Sequence, residues 1–428
     1  MDHPALRAAL PVLLTLEAAG FEAVFVGGCV RDVLARRPVT DVDIATAARP
    51  EQVQRLFART VPTGLQHGTV TVLHEGASYE VTTFRAEREY ERHRRPADVV
   101  YIDVLERDLC RRDFTINAMA MRADGSVVDP FRGQSDLASG VIRAVGIARE
   151  RFTEDALRML RGLRFAAQYG AGPRPIHPDT WRALLECRML LRHIALERVG
   201  TELDKMTAGR RPDAAWRMVL HSELLAHAAE PNAWPEQLHC AASGRERVLD
   251  LLGEHELLGG LAGADSRWAA LSLASGLDAR QARAWFRALR YSGARIRARS
   301  DLVAFHLDWI GSREPVEARW AEQTVRYGRA TAAAWLALAR ACEPLAPAGP
   351  DELEALQTQL AHMPAVSLDE LAVDGRDLMR LHGHKGGPWL QRQLHALLLA
   401  VASGSVRNTA EALLRHASEL DEREGETT

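Results

Sequence analysis

Two aspartates, Asp41 and Asp43, stand two residues apart in a short segment, 40–45, whose composition predicts a β-strand. Side chains at positions i and i+2 of a strand point to the same face, so the two carboxylates should converge while Val42 and Ile44 enter the core. Carboxylate oxygens are ligands that Mg²⁺ prefers. The pattern predicts a divalent-cation site, although a polar edge strand would carry the same residues.

A glycine turn precedes the aspartates. Residues 25–34 read F-V-G-G-C-V-R-D-V-L, which predicts a strand, a turn and a short helix. Gly27 and Gly28 lack a β-carbon, so their backbone can approach a triphosphate closely, and the helical amides that follow can donate to an anion. Arg31 is expected to meet phosphate oxygens. Asp32 is expected to orient Arg31 or to cap the turn.

A third carboxylate, Glu80, lies in a predicted strand over 78–84. Because side chains alternate along a strand, Glu80 should lie opposite Tyr79 and Val81. If those two residues are in the core, Glu80 points toward the cleft that holds the aspartates. An exposed strand carboxylate is the plainer interpretation.

The elements that must position these groups are short strands up to about residue 137 and helices after about residue 150. This order predicts an α+β domain followed by an all-helical half. The expected strands are 22–26, 40–45, 68–73, 78–84 and 116–122, and the expected early helices are 5–20 and one from Pro50.

Length, composition and charge indicate which class of protein this chain belongs to. The chain of 428 residues predicts two to four domains, and 47% hydrophobic with 26% charged residues is typical of a globular protein. The net charge of −3 does not by itself indicate a nucleic-acid binder, although a basic tract can be local. The five cysteines are scattered, which predicts neither a zinc site nor disulfides. We expect a cytoplasmic protein with no membrane span and no signal peptide.

The segment 151–165 predicts a helix with a charged face. Thr153 is expected to cap this helix, with Glu154 and Asp155 in its first turn. Asp155 and Arg158 would then share one face, where a simple ion pair contributes about 0.3–0.5 kcal/mol. The opposite, packed side is expected to comprise Ala156, Leu157 and Leu160.

Taken together, G-G-x-V-R-D-x-L and D-x-D-x-A-T resemble the head of the class II polymerase β-type nucleotidyltransferases, which include the tRNA nucleotidyltransferases (CCA-adding enzymes) and bacterial poly(A) polymerases. The resemblance implies an α+β head, with a mixed sheet and helices, followed by an all-α neck, body and tail. The implied boundaries are 1–137 for the head, 138–203 for the neck, 204–310 for the body and 311–428 for the tail.

The resemblance also implies roles for residues. Asp41 and Asp43 would hold two Mg²⁺ ions, and Glu80 would assist as the third carboxylate. Residues 111–118, R-R-D-F-T-I-N-A, match a motif that selects ribose, a role carried here to Asp113. The implied nucleotide-binding residues are Gly27, Gly28, Arg31, Arg112, Asp113, Asn117, Asp155, Arg158, Arg161 and Arg164.

In the family, E-D-x-x-R is an amino-acid template for the incoming base. Arg158 would donate to cytosine N3 and O2 or to adenine N1, while Asp155 would accept from the exocyclic amino group. UTP and GTP present a carbonyl where Asp155 needs a donor, a mismatch of several kcal/mol. CTP and ATP are therefore the implied substrates.

The rest of the chain bears on which family member this is. Residues 194–203 resemble a helix shared by CCA-adding enzymes and poly(A) polymerases, and 373–390 resemble the tail of Bacillus-type CCA-adding enzymes. Arg376 and Lys385, beside glycine-rich turns, would contact phosphates in the acceptor–TΨC limb of tRNA. The motifs imply no obligate protein partner and do not specify an oligomeric state.

Besides a CCA-adding enzyme, four alternatives remain at this point. An A-adding enzyme, which works with a separate CC-adding enzyme, keeps the flexible loop. A CC-adding enzyme typically shortens the flexible loop, here full length over 85–96, and a poly(A) polymerase usually has basic extensions where this chain ends acidic. A catalytically inactive RNA-binding protein would be expected to have lost a carboxylate or the E-D-x-x-R pair.

Overall fold

The computed structural model describes residues 3–91, 95–230, 234–235, 238, 243–383 and 385–425, with side chains described outside 87–99, 243–244 and 422–425. The chain forms two compact units that divide near residues 234–241. The first unit contains all of the sheet structure among the described residues, and the second is helical. The finer division into neck, body and tail stays a prediction.

A seven-stranded mixed sheet is the framework of the first unit. Its strand order is β3-β4-β5-β2-β1-β8-β9, and the β2–β5 pair is parallel while the other pairs are antiparallel. The strands are β1 (Ala23–Val26), β2 (Asp43–Thr46), β3 (Thr60–Gly64), β4 (Thr69–His74), β5 (Ala77–Thr83), β8 (Ala120–Met121) and β9 (Val127–Val128). The predicted α+β head is thus confirmed.

Both faces of this sheet are covered, and the alternation of side chains decides which residues face which core. Phe25 and Ile44 belong to the cluster that includes residues of the first helix, whereas Val24, Val26 and Ala45 belong to a cluster on the opposite face. Asp43 alternates with Ile44 and so shares the face of Ala45. The Asp43 carboxylate therefore lies on the second face of the sheet, the face of Val24, Val26 and Ala45.

Several elements differ from the sequence predictions. Strand β2 begins at Asp43, so Asp41 precedes the strand. The predicted strand over 116–122 is mostly wrong, because Thr115–Asn117 form a 3₁₀ turn and only Ala120–Met121 pair as a strand. The short strand Thr60–Gly64, with its exposed pattern, was not anticipated.

The segment expected as an irregular loop, 85–96, is also different. It contributes to a β-hairpin of its own, with β6 (Arg85–Glu91) paired antiparallel to β7 (Arg95–Tyr101). Residues 92–94 lie outside the described part. Charged residues occur at both odd and even positions of 85–91, so no period of two is visible in the sequence and the strand was not predicted.

The helices of the first unit flank the sheet and then continue beyond it. Helix α1 ends at Ala18, and Gly20 adopts a positive φ of 88° directly after it, close to the predicted end. The helices are α1 (Pro4–Ala18), α2 (Gly28–Leu34), α3 (Pro50–Leu56), α4 (Leu105–Cys110), α5 (Gly133–Ser139), α6 (Ala148–Glu154), α7 (Leu157–Tyr169), α8 (Pro178–Cys187), α9 (Leu196–Thr207) and α10 (Pro212–Ser222).

The second unit is built from helices around several apolar clusters, one of which gathers Leu378, Leu397, Val401 and Leu413. Its helices are α11 (Ser243–Glu254), α12 (Ala264–Ala274), α13 (Ala279–Ala288), α14 (Gly293–Gly311), α15 (Val316–Tyr327), α16 (Arg329–Ala341), α17 (Pro350–His362), α18 (Gly375–His382), α19 (Pro388–Ala402) and α20 (Ala410–Gly425). Among the residues described, no helix is both long and apolar enough to cross a membrane.

Candidate active site

A polar cavity of about 450 Å³ opens in the first unit and brings together most of the predicted site residues. Eleven of its lining residues were predicted from the sequence, and Arg111, Leu157, Phe165 and Arg198 are additional. The lining comprises Gly27, Gly28, Arg31, Asp43, Arg111, Arg112, Asp113, Asn117, Asp155, Leu157, Arg158, Arg161, Arg164, Phe165 and Arg198.

The three predicted carboxylates, Asp41, Asp43 and Glu80, form a group at one side of the cavity, which we call the acidic wall. Of the three, Asp43 lines the cavity, whereas Asp41 and Glu80 are not among its lining residues. Strand pairing places Asp43 opposite Glu80 in the β2–β5 ladder, and Tyr79 and Val81 are buried as expected. Glu80 is exposed and lies beside Asp43 on the same face of the sheet. Neither of these two carboxylates forms a salt bridge within the described part of the chain.

The charges of the acidic wall act on one another. Burial raises the pKa of Asp43 above its usual range, and the carboxylates of Glu80 and Asp41 raise it further, while Arg112 acts in the other direction. Asp41 is exposed, and its Oδ2 accepts a bond from Thr40 Oγ1 at 3.2 Å. Ionised carboxylates that repel one another without paired cations are a donor set that suits a hard divalent cation.

The fit to Mg²⁺ is nevertheless incomplete on the protein side. Within the described residues, no three His, Cys, Asp or Glu side chains gather closely enough to hold a metal ion. Mg²⁺ commonly uses one or two carboxylates and completes its shell with water and substrate phosphate oxygens, which is the arrangement that Asp41 and Asp43 can offer. The two-ion arrangement stays a prediction.

The glycine turn brings the backbone beside the acidic wall. Gly27 has a φ of 72°, in the region that favours glycine, and a β-carbon there would lie 3.1 Å from Arg112 Nη1 and 3.9 Å from Asp43 Oδ2. Gly27 precedes α2, whose first residue is Gly28. A side chain at position 27 would therefore occupy the space between the acidic wall and Arg112.

Arg112 and its neighbour Arg111 are held by a buried carboxylate that the sequence analysis missed. Asp108 Oδ1 accepts from Arg111 Nε at 2.9 Å, and Asp108 Oδ2 accepts from Arg112 Nη2 at 3.2 Å. Burial opposes the charge of Asp108, but the two arginines outweigh it and lower its pKa. The i, i+3 and i, i+4 spacing in R-D-L-C-R-R was the signal that could have found it.

Arg31 is fixed from several directions. Its Nε and Nη2 donate to the two oxygens of Asp32 at 3.1 and 2.9 Å, and its Nη1 donates to Asn117 Oδ1 at 2.6 Å. Tyr169 Oη donates to Asp32 Oδ1 at 2.6 Å, and the Tyr169 ring lies 4.4 Å from the Arg31 guanidinium carbon. Asp32 therefore orients Arg31, the first of its two predicted roles, and Tyr169 was not anticipated.

Asp113 is buried and strongly engaged. Its Oδ1 accepts from Phe114 N at 2.8 Å and Asn117 Nδ2 at 3.0 Å, and its Oδ2 accepts from Arg161 Nε at 2.8 Å. Burial opposes its charge, but Arg161, Asn117 and Arg158 outweigh burial and hold the pKa of Asp113 well below its usual range. Arg161 Nη2 also lies 2.6 Å from Oδ2, so about four acceptor positions of this carboxylate are taken, and a ribose hydroxyl would have to replace one of these donors.

The helix predicted over the E-D-x-x-R motif is interrupted at that motif. Helix α6 ends at Glu154, Asp155 is extended with φ −139° and ψ 106°, and α7 begins at Leu157. Thr153 is in the last turn of α6, where its Oγ1 donates to Arg149 O, so the predicted cap at Thr153 is wrong. Asp155 precedes Ala156, the N-cap of α7, and its Oδ1 accepts from Leu157 N at 3.1 Å.

The break also changes the ion pairs. Arg158 Nη1 donates to Glu154 Oε2 at 2.6 Å rather than to Asp155, and Arg158 Nη2 donates to Arg111 O at 3.1 Å. Asp155 Oδ2 instead accepts from Arg198 Nη2 at 2.8 Å. The two predicted base-reading side chains are therefore not paired with each other, and each is held in place by a different partner.

Three arginines of α7 recur at intervals of three residues, and each has a carboxylate partner. Arg158 pairs with Glu154, Arg161 Nη2 lies 2.6 Å from Asp113 Oδ2, and Arg164 Nε lies 2.7 Å from Glu202 Oε2. We call Arg158, Arg161 and Arg164 the arginine wall of the cavity. The buried side of α7 includes Ala156, Leu157 and Leu160, as predicted.

The two predicted RNA-binding residues lie in the second unit. The side chains of Arg376 and Lys385 are exposed. The first-turn amides of α18, those of Arg376 and Asp377, already donate to Asp374 Oδ1 at 2.8 and 3.2 Å. The α18 N-terminus is therefore engaged within the protein, and only the side chains of Arg376 and Lys385 remain as candidate phosphate contacts.

Sequence comparisons identify the family. The family described as "Poly A polymerase head domain" matches residues 23–143, "Probable RNA and SrmB- binding site of polymerase A" matches 175–235, and a tRNA nucleotidyltransferase domain 2 family matches 261–417. The CCA-adding enzyme of Geobacillus kaustophilus (strain HTA426) is 38% identical over 410 residues, which is 96% of both chains. The chain belongs to the CCA-adding enzyme family of tRNA nucleotidyltransferases.

Solved structures agree with this membership. The crystal structure of the Bacillus stearothermophilus CCA-adding enzyme in complex with CTP is 33% identical, covers 100% of both chains and has a TM-score of 0.83. The Thermotoga maritima CCA-adding enzyme complexed with tRNA has a TM-score of 0.65 at 19% identity, covering 98% of this chain and 96% of that one, and shows a shared fold. The family predicted from the motifs is thus confirmed.

Proposed function

We propose that this member of the CCA-adding family extends the 3′ end of tRNA by C, C and A, using CTP and ATP with Mg²⁺. The observation that carries the proposal is the composition of one cavity, in which Asp43 of the acidic wall and the base-reading candidates Asp155 and Arg158 are both lining residues. A polymerising centre and a base-reading surface must adjoin to select a nucleotide and transfer it.

In this proposal Asp41 and Asp43 hold the metal and Glu80 assists. Bound Mg²⁺ would stabilise the charge that develops on the attacking and leaving oxygens. Because Gly27 and Gly28 lack a β-carbon, the triphosphate can approach their backbone closely. Arg31 uses three of its five N–H groups within the protein, so two remain for phosphate oxygens.

Base choice depends on where Asp155 and Arg158 are held. Arg198 holds the Asp155 carboxylate, an acceptor, and Glu154 holds the Arg158 guanidinium, a donor. An acceptor beside a donor matches the Watson–Crick edge of cytosine or adenine. Uracil and guanine would set a carbonyl against Asp155, which costs several kcal/mol in a partly buried site.

The deciding experiment supplies the purified protein with three tRNAs, one lacking CCA, one lacking CA and one lacking only the final A. CTP and ATP are offered separately and together. We expect CMP on the first two and AMP on the third. AMP addition alone would assign an A-adding enzyme, CMP addition alone a CC-adding enzyme, and long A tracts a poly(A) polymerase.

Base reading has its own test. We expect Asp155→Ala and Arg158→Ala to lose the preference for CTP and ATP over UTP and GTP, while the Mg²⁺ concentration for half-maximal activity stays unchanged. The matched control is Asp179→Ala, an exposed carboxylate paired with Arg182 outside the cavity. Unchanged base preference in both cavity variants would contradict the proposed template.

A further inference from the structure

A second concentration of arginine lies in the helical unit. Residues 279–300 contain seven arginines and no acidic residue, in a chain whose 54 basic residues are outnumbered by 57 acidic ones. This segment therefore has a local charge opposite in sign to that of the whole protein. Local charge of this kind governs association with polyanions.

The segment folds into two packed helices, α13 and α14. Trp285 and Phe286 of α13 are buried. On α13, positions 280, 283 and 287 fall within one arc of the surface, because they are spaced by three and four residues. Arg290 follows the end of α13 at Ala288. The sequence thus places apolar residues inward and arginines along the outer face of α13.

Some of these arginines serve the fold. Arg299 is fully buried, with its Nε 2.7 Å from Asp265 Oδ1 and its guanidinium 4.1 Å from the Tyr291 ring centre. Arg283 pairs with Asp301 at 3.0 Å, and Arg295 lies 3.5 Å from Asp265.

The remaining four arginines, which we call the arginine face, differ from these three in exposure and in pairing. Their side chains are exposed, and within the described part of the chain they form no salt bridge. The arginine face consists of Arg280, Arg287, Arg290 and Arg297. An exposed charge without a counter-charge contributes little to folding, so stability does not account for them.

The chemistry of the arginine face favours a phosphate backbone. No large hydrophobic side chain of 279–300 is exposed, so the surface lacks the apolar anchors that protein interfaces and membrane-bound helices use. Guanidinium groups fit phosphate oxygens with two parallel hydrogen bonds. From Arg280 to Arg287 the helical rise amounts to about 10 Å, which exceeds the spacing of neighbouring phosphates along one strand.

We propose that the arginine face binds the phosphate backbone of the double-helical part of tRNA. This inference rests on the proposed function, which makes tRNA the substrate. The contacts are to phosphates rather than bases, since the grooves of an A-form helix offer side chains few base edges. The arginine face then contributes affinity for tRNA and leaves the choice of nucleotide unchanged.

The test compares tRNA binding by the wild-type protein and by the double variant Arg287→Glu/Arg290→Glu over a range of salt concentrations. We expect affinity to fall about tenfold or more near 0.1 M salt, and the slope of log K against log salt to decrease by about two, one for each lost contact. The KM for tRNA should rise while the KM for CTP at saturating tRNA stays the same. The charge-retaining variant Arg287→Lys/Arg290→Lys should keep most of the affinity.

The control for net charge is Arg7→Glu/Arg313→Glu, which changes the same number of charges at exposed positions outside the arginine face. Equal weakening in this control, or unchanged affinity and slope in Arg287→Glu/Arg290→Glu, would overturn the inference. Thermal unfolding of all variants checks that they remain folded. A wild-type protein that binds tRNA but adds no nucleotide would contradict the proposed function and leave the arginine face standing.

Discussion

The arginine wall of the cavity and the acidic wall beside it differ in how their charges are balanced. Each arginine of the arginine wall has its own carboxylate, and Asp113 and Glu202 are stabilised as anions, with the pKa of each lowered by the arginine beside it despite burial. On the acidic wall, Asp43 and Glu80 are adjacent like charges, and the pKa of Asp43 is raised.

The two walls therefore differ in whether the protein alone balances their charges. The arginine wall is complete without substrate, so its donors are oriented before a base arrives, which is how preorganised sites avoid rearrangement at the moment of reaction. The acidic wall carries uncompensated charge that only an added cation can balance. Substitutions in the two walls should therefore separate activity from stability.

The largest expected effect is the loss of activity in Asp43→Asn. A metal ligand supplies several kcal/mol of transition-state stabilisation, so nucleotide incorporation should fall on the order of a thousandfold. The free energy of unfolding should stay the same or rise, because the substitution removes a charge that Glu80 and Asp41 repel. Single-turnover incorporation and urea denaturation measure the two quantities.

The control for this prediction is Glu51→Gln, an exposed carboxylate in the first turn of α3. It should change neither quantity appreciably. A strongly destabilised Asp43→Asn would show that the Asp43 carboxylate is balanced by the protein, as the carboxylates of the arginine wall are.

Asp113→Ala should show the reverse pattern. Its free energy of unfolding should fall, whereas that of Asp43→Asn should not. The substitution leaves Arg161 without its partner and breaks the bond to Asn117, and removing one member of a buried pair costs about 3 kcal/mol or more. Urea denaturation measures this loss against Asp179→Ala, whose exposed pair with Arg182 should contribute less than about 1 kcal/mol. Equal stability of the two variants would contradict the ordering.

The contributions of the two walls to the free energy of unfolding should change with pH in opposite directions. Asp113 and Glu202 have lowered pKa values in the folded state, so they contribute stability above their ordinary values of 3.8 and 4.5 that is lost as the pH falls through the folded pKa. Asp43 has a raised pKa, so its protonated form favours folding below its ordinary value, and that contribution is lost as the pH rises through the folded pKa.

The measurement is urea denaturation of wild type and Asp43→Asn between pH 3 and pH 7. Both should lose stability below about pH 4.5, where Asp113 and Glu202 bind protons in the unfolded state but remain ionised in the folded state. The variant should gain relative to wild type as the pH rises, and Mg²⁺ should stabilise wild type more than the variant. A difference that is independent of pH would contradict the raised pKa of Asp43.

The acidic wall was predictable from the sequence because its geometry is local. The alternation of Tyr79, Glu80 and Val81 fixes the face of Glu80, whereas Asp41 precedes the strand, so the predicted strand alternation does not place it. Strand periodicity needs no knowledge of distant residues, which is why Glu80 lies beside Asp43 as expected.

The arginine wall was predicted as a set of residues but not in its pairing. The partners Asp113 and Glu202 are 48 and 38 residues from Arg161 and Arg164 in the chain, and no pattern within one helix reveals them. The expectation that Asp155 and Arg158 share one helix face was wrong because helix spacing was extended across a break. Asp155 precedes α7 and accepts from Leu157 N, and Glu154 is the carboxylate paired with Arg158.

The smallest expected effect concerns Tyr169, which supports Arg31 from outside the cavity. Tyr169→Phe removes one hydrogen bond to Asp32, and a bond to a charged group contributes about 1.5 kcal/mol or somewhat more. If Asp32 and Tyr169 orient Arg31 for the triphosphate, the KM for CTP should rise about threefold to tenfold while kcat changes little.

The matched control is Tyr327→Phe, because Tyr327 Oη also donates to an aspartate, Asp308, at 2.6 Å, but in the second unit. Both variants should lose similar stability in urea denaturation, so an effect on KM in Tyr169→Phe alone would assign the bond to substrate binding. A KM that is unchanged in both, or raised equally in both, would show that the bond to Asp32 serves the fold and that Arg31 is oriented by Asn117 without it.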